Sequence, residues 1–571
     1  MKKSKIGSTP QVRKQITYSC LFPDDKEMNL NILLKDIPTY SAIEFITYWN
    51  FLETTRMATH DSFSNFAPIL FKLDKSLQYI IVNYLQRINI QEYVFVDKYA
   101  LLKLTEALIL INNKQTRELT EIDYSNLLKA YFICCEEQTT NIKNIDLLNI
   151  LSFLNIYVPT QMKQNDLDYP LIYMDMEIIK FYCFIDFCKS NKVFGQYLNI
   201  YVEEYGLSNW IDYLYPLFRL FLDMAMNEEG KTNKVVVDEK YDYLKNILNS
   251  MCINDKAYTE FSNDFTKIRE KPIFRIDENT YIVIFIKFLK DKFFQSFLFD
   301  LARVLAKHKD ESGVSGYLQL KQLLGQQFSE QVLFYQVINR CFTKYSFIKY
   351  TGKELKDALN DGEPDFYIRD ASRIFLFEYK DIKLNANIKC SDSYNTIEQE
   401  LIEQFVESSF DKLNNKKRKK RKPKGITQLL NTIEEKLPII FEKLDIISQR
   451  HLSIFPIIVY QDSCLDIDGV NYIINEKFIE LKEHYDLTGY TVKDVVMVNI
   501  DTLLKLENLF SSGKLNLGTC INDYMAYKQS KKINSIISFN RYLMLKAFDK
   551  GYNLKFTKWF KDIMNSLEAS N

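Results

Sequence analysis

Residues 362–383 read GEPDFYIRDASRIFLFEYKDIK. Within them, IFLFEYK (374–380) has the composition of a strand. Its two-residue period puts Ile374, Leu376, Glu378 and Lys380 on one face and Phe375, Phe377 and Tyr379 on the other. Both faces begin apolar, which predicts a buried inner strand. A carboxylate and an ammonium side by side at the end of such a strand are costly unless they pair or hold a ligand. A hairpin turning at Ala371-Ser372 would join PDFYIRD to RIFLFEYK and set Asp365 opposite Glu378, a few ångströms apart. The turn lacks the preferred Asn-Gly or Asp-Gly, so this register is open to a slip of one residue. Two carboxylates that close repel, and a divalent cation is the usual remedy.

The flanking segments read as helices and further strands. GQQFSEQVLFYQVINRCF (325–342) carries an apolar helical stripe at Leu333, Phe334, Val337, Ile338 and Cys341. Glu330 lies on that stripe and points inward, where an unpaired carboxylate is expensive; the plainer reading is a first-turn acid favoured by the helix dipole. Downstream, a helix is expected over 395–413, a basic loop over 414–425 (NNKKRKKRKPKG) and a helix over 426–437. From Lys416 to Lys424 every residue but Pro423 is basic: Lys416, Lys417, Arg418, Lys419, Lys420, Arg421, Lys422 and Lys424. Such a run is either a solvated loop or a sequence-blind grip on phosphates. Gln428 lies opposite the apolar stripe of its helix, facing a ligand or solvent. FPIIVY (455–460) and VVMVNI (495–500) are the remaining strands, and their alternation with helices predicts an α/β domain with helices packed on a sheet.

Pro364-Asp365, a gap of twelve residues, and Glu378-Tyr379-Lys380 in an apolar strand resemble the PD-(D/E)xK nuclease superfamily, which has the restriction-endonuclease-like fold. The resemblance implies Mg²⁺-dependent hydrolysis of phosphodiester bonds, with Mn²⁺ able to substitute. Asp365, Glu378 and the backbone carbonyl of Tyr379 would hold the metal, and Lys380 would orient the attacking water. Glu330 would complete the metal site, with Gln428 and Lys424 as accessory polar residues. The tripeptide Glu-x-Lys alone says little, because 354–356, 434–436 and 480–482 also match and Asp381-Ile382-Lys383 overlaps the main candidate. The apolar strand and the Pro-Asp one hairpin arm earlier set 378–380 apart. The resemblance is concentrated in 325–437. More loosely, the chain is similar to large bacterial nucleases with a helical front half, tied to anti-phage defence or restriction. That setting implies DNA ahead of RNA as partner, a phage-derived trigger or partner protein, and a homo-oligomer. The alternative is an inactive nuclease fold acting as a nucleic-acid-binding or scaffold module; retention of Asp365, Glu378 and Lys380 together argues against it.

The 74 basic and 74 acidic residues cancel, which excludes a globally basic nucleic-acid binder and confines any polyanion site to a local patch. The 571 residues call for several domains. Expected are a basic, flexible N-terminus (1–16), a mostly α-helical region for sensing, binding or oligomerisation (17–265) and a connector of two strands and a helix (266–314). An α/β (α+β) nuclease-like domain (315–515) and C-terminal helices (516–571) follow. Ten cysteines without a CxxC pair and four scattered histidines make zinc fingers improbable. GKT at 230–232 has no phosphate-loop context. With no signal-peptide pattern and no apolar run of membrane-spanning length, the chain is expected in the cytoplasm, away from membranes.

Overall fold

A computed structural model of the chain describes residues 13–25, 28–55, 62–137, 149–168, 173–226, 232–238, 242–254, 257–262, 264–359, 362–411, 416–446, 451–530, 532–552, 554 and 556–568; along 408–422 the description covers the backbone. Most of the expected N-terminal tail, and Gly230 and Lys231, lie outside these residues. The chain is mixed α/β and forms two compact units. One comprises Ile145–Gly195 and Val314–Asn571, the other Val12–Asn144 and Gln196–Gly313.

The first unit is built on a six-stranded mixed sheet. Strands β1 (Ile348–Thr351), β2 (Phe366–Asp370) and β3 (Arg373–Lys380) form an antiparallel meander. A hairpin of β4 (Glu407–Asp411) and β5 (Lys416–Pro423) lies apart from the sheet. β6 (Leu452–Tyr460) runs parallel to β3 and pairs along its far edge with β7 (Tyr490–Val492) and then β8 (Val496–Asn499). β3 is therefore an inner strand, as its two apolar faces require.

The hairpin register is the expected one: Asp370 pairs with Arg373, Tyr367 with Leu376 and Phe366 with Phe377. The next position along sets Asp365 against Glu378. The turn reaches this register without Asn-Gly because Ala371 adopts φ 55°, the positive φ that primed hairpin turns need at their first central residue.

Each sheet face is covered by helices. On one side lies α1, a continuous helix made of Tyr317–Leu324, a π-helical stretch Gly325–Phe334, and Tyr335–Cys341. Its Phe334 stacks on Tyr379 with ring centroids 4.9 Å apart, and Phe342 just beyond it meets Phe377 at 6.0 Å. On the other side, Ile374 and Leu376 share a core with Ile397, Leu401 and Phe405 of α2 (Tyr394–Phe405) and with Ile426, Leu429 and Leu430 of α3 (Ile426–Asn431). Asp445, 2% exposed, ties β2 to this layer. Arg369 donates to both its oxygens at 2.6 Å, and the Tyr367 hydroxyl donates at 2.6 Å.

Four expectations need correction. The region 17–265 is not one unit, since Phe153, Leu154, Tyr157, Val158 and Met162 of helix Ile150–Asp168 belong to the core beneath the C-terminal sheet. An apolar helix face shows that it must be covered, not by what. The helix expected over 395–413 stops at Phe405, and the expected basic loop is a strand. Lys416 stands at the register position of Asp411. The connector 266–314 belongs to the second unit, where Ile273–Arg275 and Thr280–Val283 form the expected strand pair. A third strand, Lys234–Val236, joins Thr280–Val283.

Two stability changes follow. Ala371→Gly relieves the positive φ and raises stability by about 0.5–1 kcal/mol, whereas Asp445→Ala leaves the buried Tyr367 hydroxyl and the part-buried Arg369 guanidinium without their shared acceptor and costs about 2 kcal/mol. Urea unfolding of the purified chain reads both; a destabilising Ala371→Gly would contradict the turn geometry.

Candidate active site

Four carboxylates and one ammonium gather where β2 begins and β3 ends. Asp365 precedes β2 and is pinned there twice. Its Oδ2 accepts the Tyr379 N–H at 2.6 Å, and its carbonyl accepts the Gly352 N–H at 2.8 Å. Gly352 allows a close approach, since a Cβ there would lie 3.2 Å from the Asp365 Cα and carbonyl oxygen. Glu378, 3% exposed, accepts from Lys380 Nζ at 2.7 Å through Oε1. Lys380 also donates to Gln428 Oε1 at 2.8 Å. An ammonium has three donors, so one is left for a ligand.

Gln428 is held in place in turn. Its Oε1 also accepts the Gly425 N–H at 2.9 Å, a bond that caps α3. Gly425 takes φ 44°, and a Cβ there would sit 2.3 Å from the Phe405 carbonyl oxygen. Lys424 donates its N–H to the Val406 carbonyl at 2.9 Å and its Nζ to the Glu403 carbonyl at 3.0 Å. The base of the basic hairpin is thereby fastened to the end of α2 at the residue next to the cap that holds Gln428. Lys424, expected on phosphate, spends a donor inside the protein. The backbone of Lys416, Lys417, Arg418, Lys419, Lys420, Arg421 and Lys422 lies in β5; contacts of their side chains fall outside the described residues.

Glu330 sits in the π-helical stretch of α1 and accepts the Tyr335 hydroxyl at 3.2 Å, five residues on, the spacing of a π turn. It is half-buried and close enough to Glu378, Asp365 and Lys380 to feel their charges. Glu363 was not singled out from the sequence. Its Oε2 is buried without a hydrogen-bond partner, and its charge acts on both Glu330 and Glu378. Its one sequence signal was its place two residues before Asp365.

The electrostatics are those of a site short of positive charge. Burial, then the charges of Glu378 and Glu330, holds the Asp365 carboxyl well above its ordinary range. Burial also raises Glu378, with Lys380 working against the rise and Glu363 adding to it. Glu330 is raised by burial and by the two neighbouring carboxylates, less the Tyr335 hydrogen bond. Burial opposes the charge on Lys380, but Glu378, Asp365 and Glu330 outweigh it and hold the ammonium above its usual pKa. Among the described residues no three His, Cys, Asp or Glu side chains form a ready-made metal cage. Asp365 Oδ1, Glu378 Oε2 and Glu330 Oε2 nonetheless make no hydrogen bond among the described residues.

The competing Glu-x-Lys matches serve the fold. Glu354 accepts the Thr351 N–H at 2.8 Å, Glu434 accepts the Asp486 N–H at 2.7 Å, and Glu480 pairs with Lys477 at 2.9 Å. Asp381 lies 3.6 Å from Lys321. Among the described residues no helix is long and apolar enough to cross a membrane. Compared with protein-family models, with curated proteins and with solved structures, the chain matches none.

Asp365 binds its proton more tightly folded than unfolded. The stability it contributes is therefore full below about pH 4 and is lost as pH rises through the folded value. Asp365→Asn keeps an oxygen for the Tyr379 N–H and removes the buried charge. In chelator at pH 8 it raises Tm by about 2–4 °C, the shift expected of about 1 kcal/mol in a unit of this size, and the gain vanishes towards pH 4. A calorimetric scan across pH reads this; a Tm lowered at pH 8 would contradict it.

Proposed function

We propose that the chain is a divalent-cation-dependent nuclease of the PD-(D/E)xK type, with a restriction-endonuclease-like domain in the unit that carries the six-stranded sheet. The observation that carries this reading is the register of β2 and β3, which brings Asp365 beside Glu378 and Lys380 at the end of a buried strand. The order of elements supports it as well: a helix bearing Glu330, the Pro-Asp strand, the Glu-x-Lys strand and a helix bearing Gln428 follow one another as the resemblance implies.

The residues fit a hard cation. Their donors are all oxygen, as Mg²⁺ and Mn²⁺ prefer, and the buried carboxylates outnumber the one ammonium among them. Asp365, Glu378 and the Tyr379 carbonyl would hold the ion, with Glu330 beside them. Bound there, it would supply Lewis acidity and a more acidic water. The protein's own part is positional. Glu378 and Gln428 fix the Lys380 ammonium, whose third donor is free to orient a water or a phosphate oxygen. The basic hairpin, rooted beside Gln428, is suited to gripping the backbone of a nucleic acid, DNA ahead of RNA. The resemblance further suggests bacterial anti-phage defence or restriction, in the cytoplasm. There a phage-derived trigger or partner would act on the rest of the chain, and a homo-oligomer would bring two sites to duplex DNA.

Supercoiled DNA, linear DNA, single-stranded DNA and RNA are incubated with the wild type, Glu378→Ala and Lys380→Ala, in Mg²⁺ or Mn²⁺. Cleavage is expected on DNA. It should fall in both variants by about 10²–10³-fold, the scale of losing one preorganised electrostatic group, and vanish in excess chelator. Full activity in chelator overturns the proposal. A wild type that cuts nothing yet binds DNA with steep salt dependence favours the scaffold reading.

A further inference from the structure

Ten residues of α1, Gly325–Phe334, are wound as π-helix. Such stretches are rare, and they send side chains where a regular helix would not. Here the effect falls on one pair. Residues five apart on an α-helix stand about 140° apart around its axis and cannot meet. In α1 the Tyr335 N–H donates to the Glu330 carbonyl, and the Tyr335 hydroxyl donates to Glu330 Oε1 at 3.2 Å. Backbone and side chain thus fasten the same two residues.

Tyr335 is itself fixed. It is 8% exposed, and its ring lies edge-on to Phe366, the residue after Asp365, with centroids 5.7 Å apart. The Lys353 amide, in the first turn of helix Gly352–Leu359, approaches its hydroxyl. With an N–H on that side, the one proton of the hydroxyl is directed to Glu330. The preceding amide of the same turn, Gly352 N–H, holds the Asp365 carbonyl. One turn of helix therefore sets Asp365 directly and Glu330 through Tyr335. Because Glu330 Oε1 takes the hydroxyl, Oε2 is the oxygen left to face water or substrate.

We infer that Tyr335 is a positioning residue of the candidate active site: its hydroxyl orients the Glu330 carboxylate, and the π-helical stretch of α1 lets the two meet. The inference rests on the nuclease reading above, in which Glu330 belongs to the site, and adds a residue outside the Pro-Asp and Glu-x-Lys pattern. The Tyr335 hydroxyl is spent on Glu330, so its loss slows turnover and leaves substrate binding intact.

The test is steady-state DNA cleavage by the full-length protein, comparing wild type, Tyr335→Phe, Glu330→Ala and the double variant. Phenylalanine keeps the ring against Phe366 and deletes the hydroxyl alone. Tyr335→Phe is expected to lower kcat about ten- to a hundredfold, the worth of one hydrogen bond to a charged group, with KM and Tm close to wild type. In the Glu330→Ala background the same change is expected to have no further effect, because the hydroxyl acts only through Glu330. A merely structural role would lower kcat by the same factor in both backgrounds. That result, or a wild-type kcat in either single variant, overturns the inference and leaves the nuclease reading standing. Should Tyr335→Phe not fold, Glu330→Asp draws the carboxylate back from an intact Tyr335 and is expected to lose kcat to the same extent; a wild-type kcat there overturns the inference too. A wild type that cuts neither DNA nor RNA overturns both.

Discussion

The repulsion between Asp365 and Glu378 is the cost around which this part of the protein is arranged. Neither carboxylate can retreat. Asp365 is bonded to the Tyr379 amide and to the start of the helix at Gly352, while Glu378 lies on a strand paired on both sides. Lys380, on the same face of β3, answers part of that charge, and Gln428 holds Lys380 to the task. Gln428 is kept in place by a glycine turn that no other residue could make without moving Phe405. Each of these groups is positioned by the one before it, and the chain of dependence begins with the hairpin register.

The surrounding core makes that arrangement rigid. Phe334 stacks on Tyr379, the residue between the carboxylate and the ammonium, so α1 bears on β3 at the site itself. The π-helical stretch brings Glu330 and Tyr335 five residues apart into hydrogen-bonding distance within the same helix. Irregular helix of this kind recurs at functional sites because it re-aims side chains that regular geometry would turn elsewhere. Buried carboxylates with raised pKa values cost stability, and such perturbed groups cluster at functional sites in proteins generally.

Elsewhere in the same unit, buried ion pairs join distant parts of the sequence. Lys505 meets Asp175 at 2.9 Å with neither side chain exposed, and Lys180 bonds both Glu177 and Asp501. These pairs tie helix Met174–Ser190 to the helix that follows β8. Removing one partner of such a pair leaves a buried charge uncompensated. The insertion of 145–195 into the C-terminal unit is thus specified by charge as well as by apolar packing.

Periodicity and spacing determined the local elements. The alternation of IFLFEYK made β3 a two-sided core strand, the lengths of the two arms set Asp365 against Glu378, and the stripe at Leu333 to Cys341 made α1 a packed helix. These are properties of neighbours in sequence, fixed by the two-residue and 3.6-residue repeats of the backbone. The partnership of helix Ile150–Asp168 with the C-terminal sheet was not legible, since an apolar face is compatible with any apolar partner. The strand character of the basic run was hidden because its pairing with Glu407–Asp411 competes with solvation, a balance that charge composition alone leaves open. Gln428 could be placed on the polar side of α3, but only the approach of that helix to β3 chose Lys380 over water as its partner. Glu363 was decided wholly by tertiary structure: nothing in its neighbours distinguishes a surface acid from one whose oxygen the fold has buried beside three others.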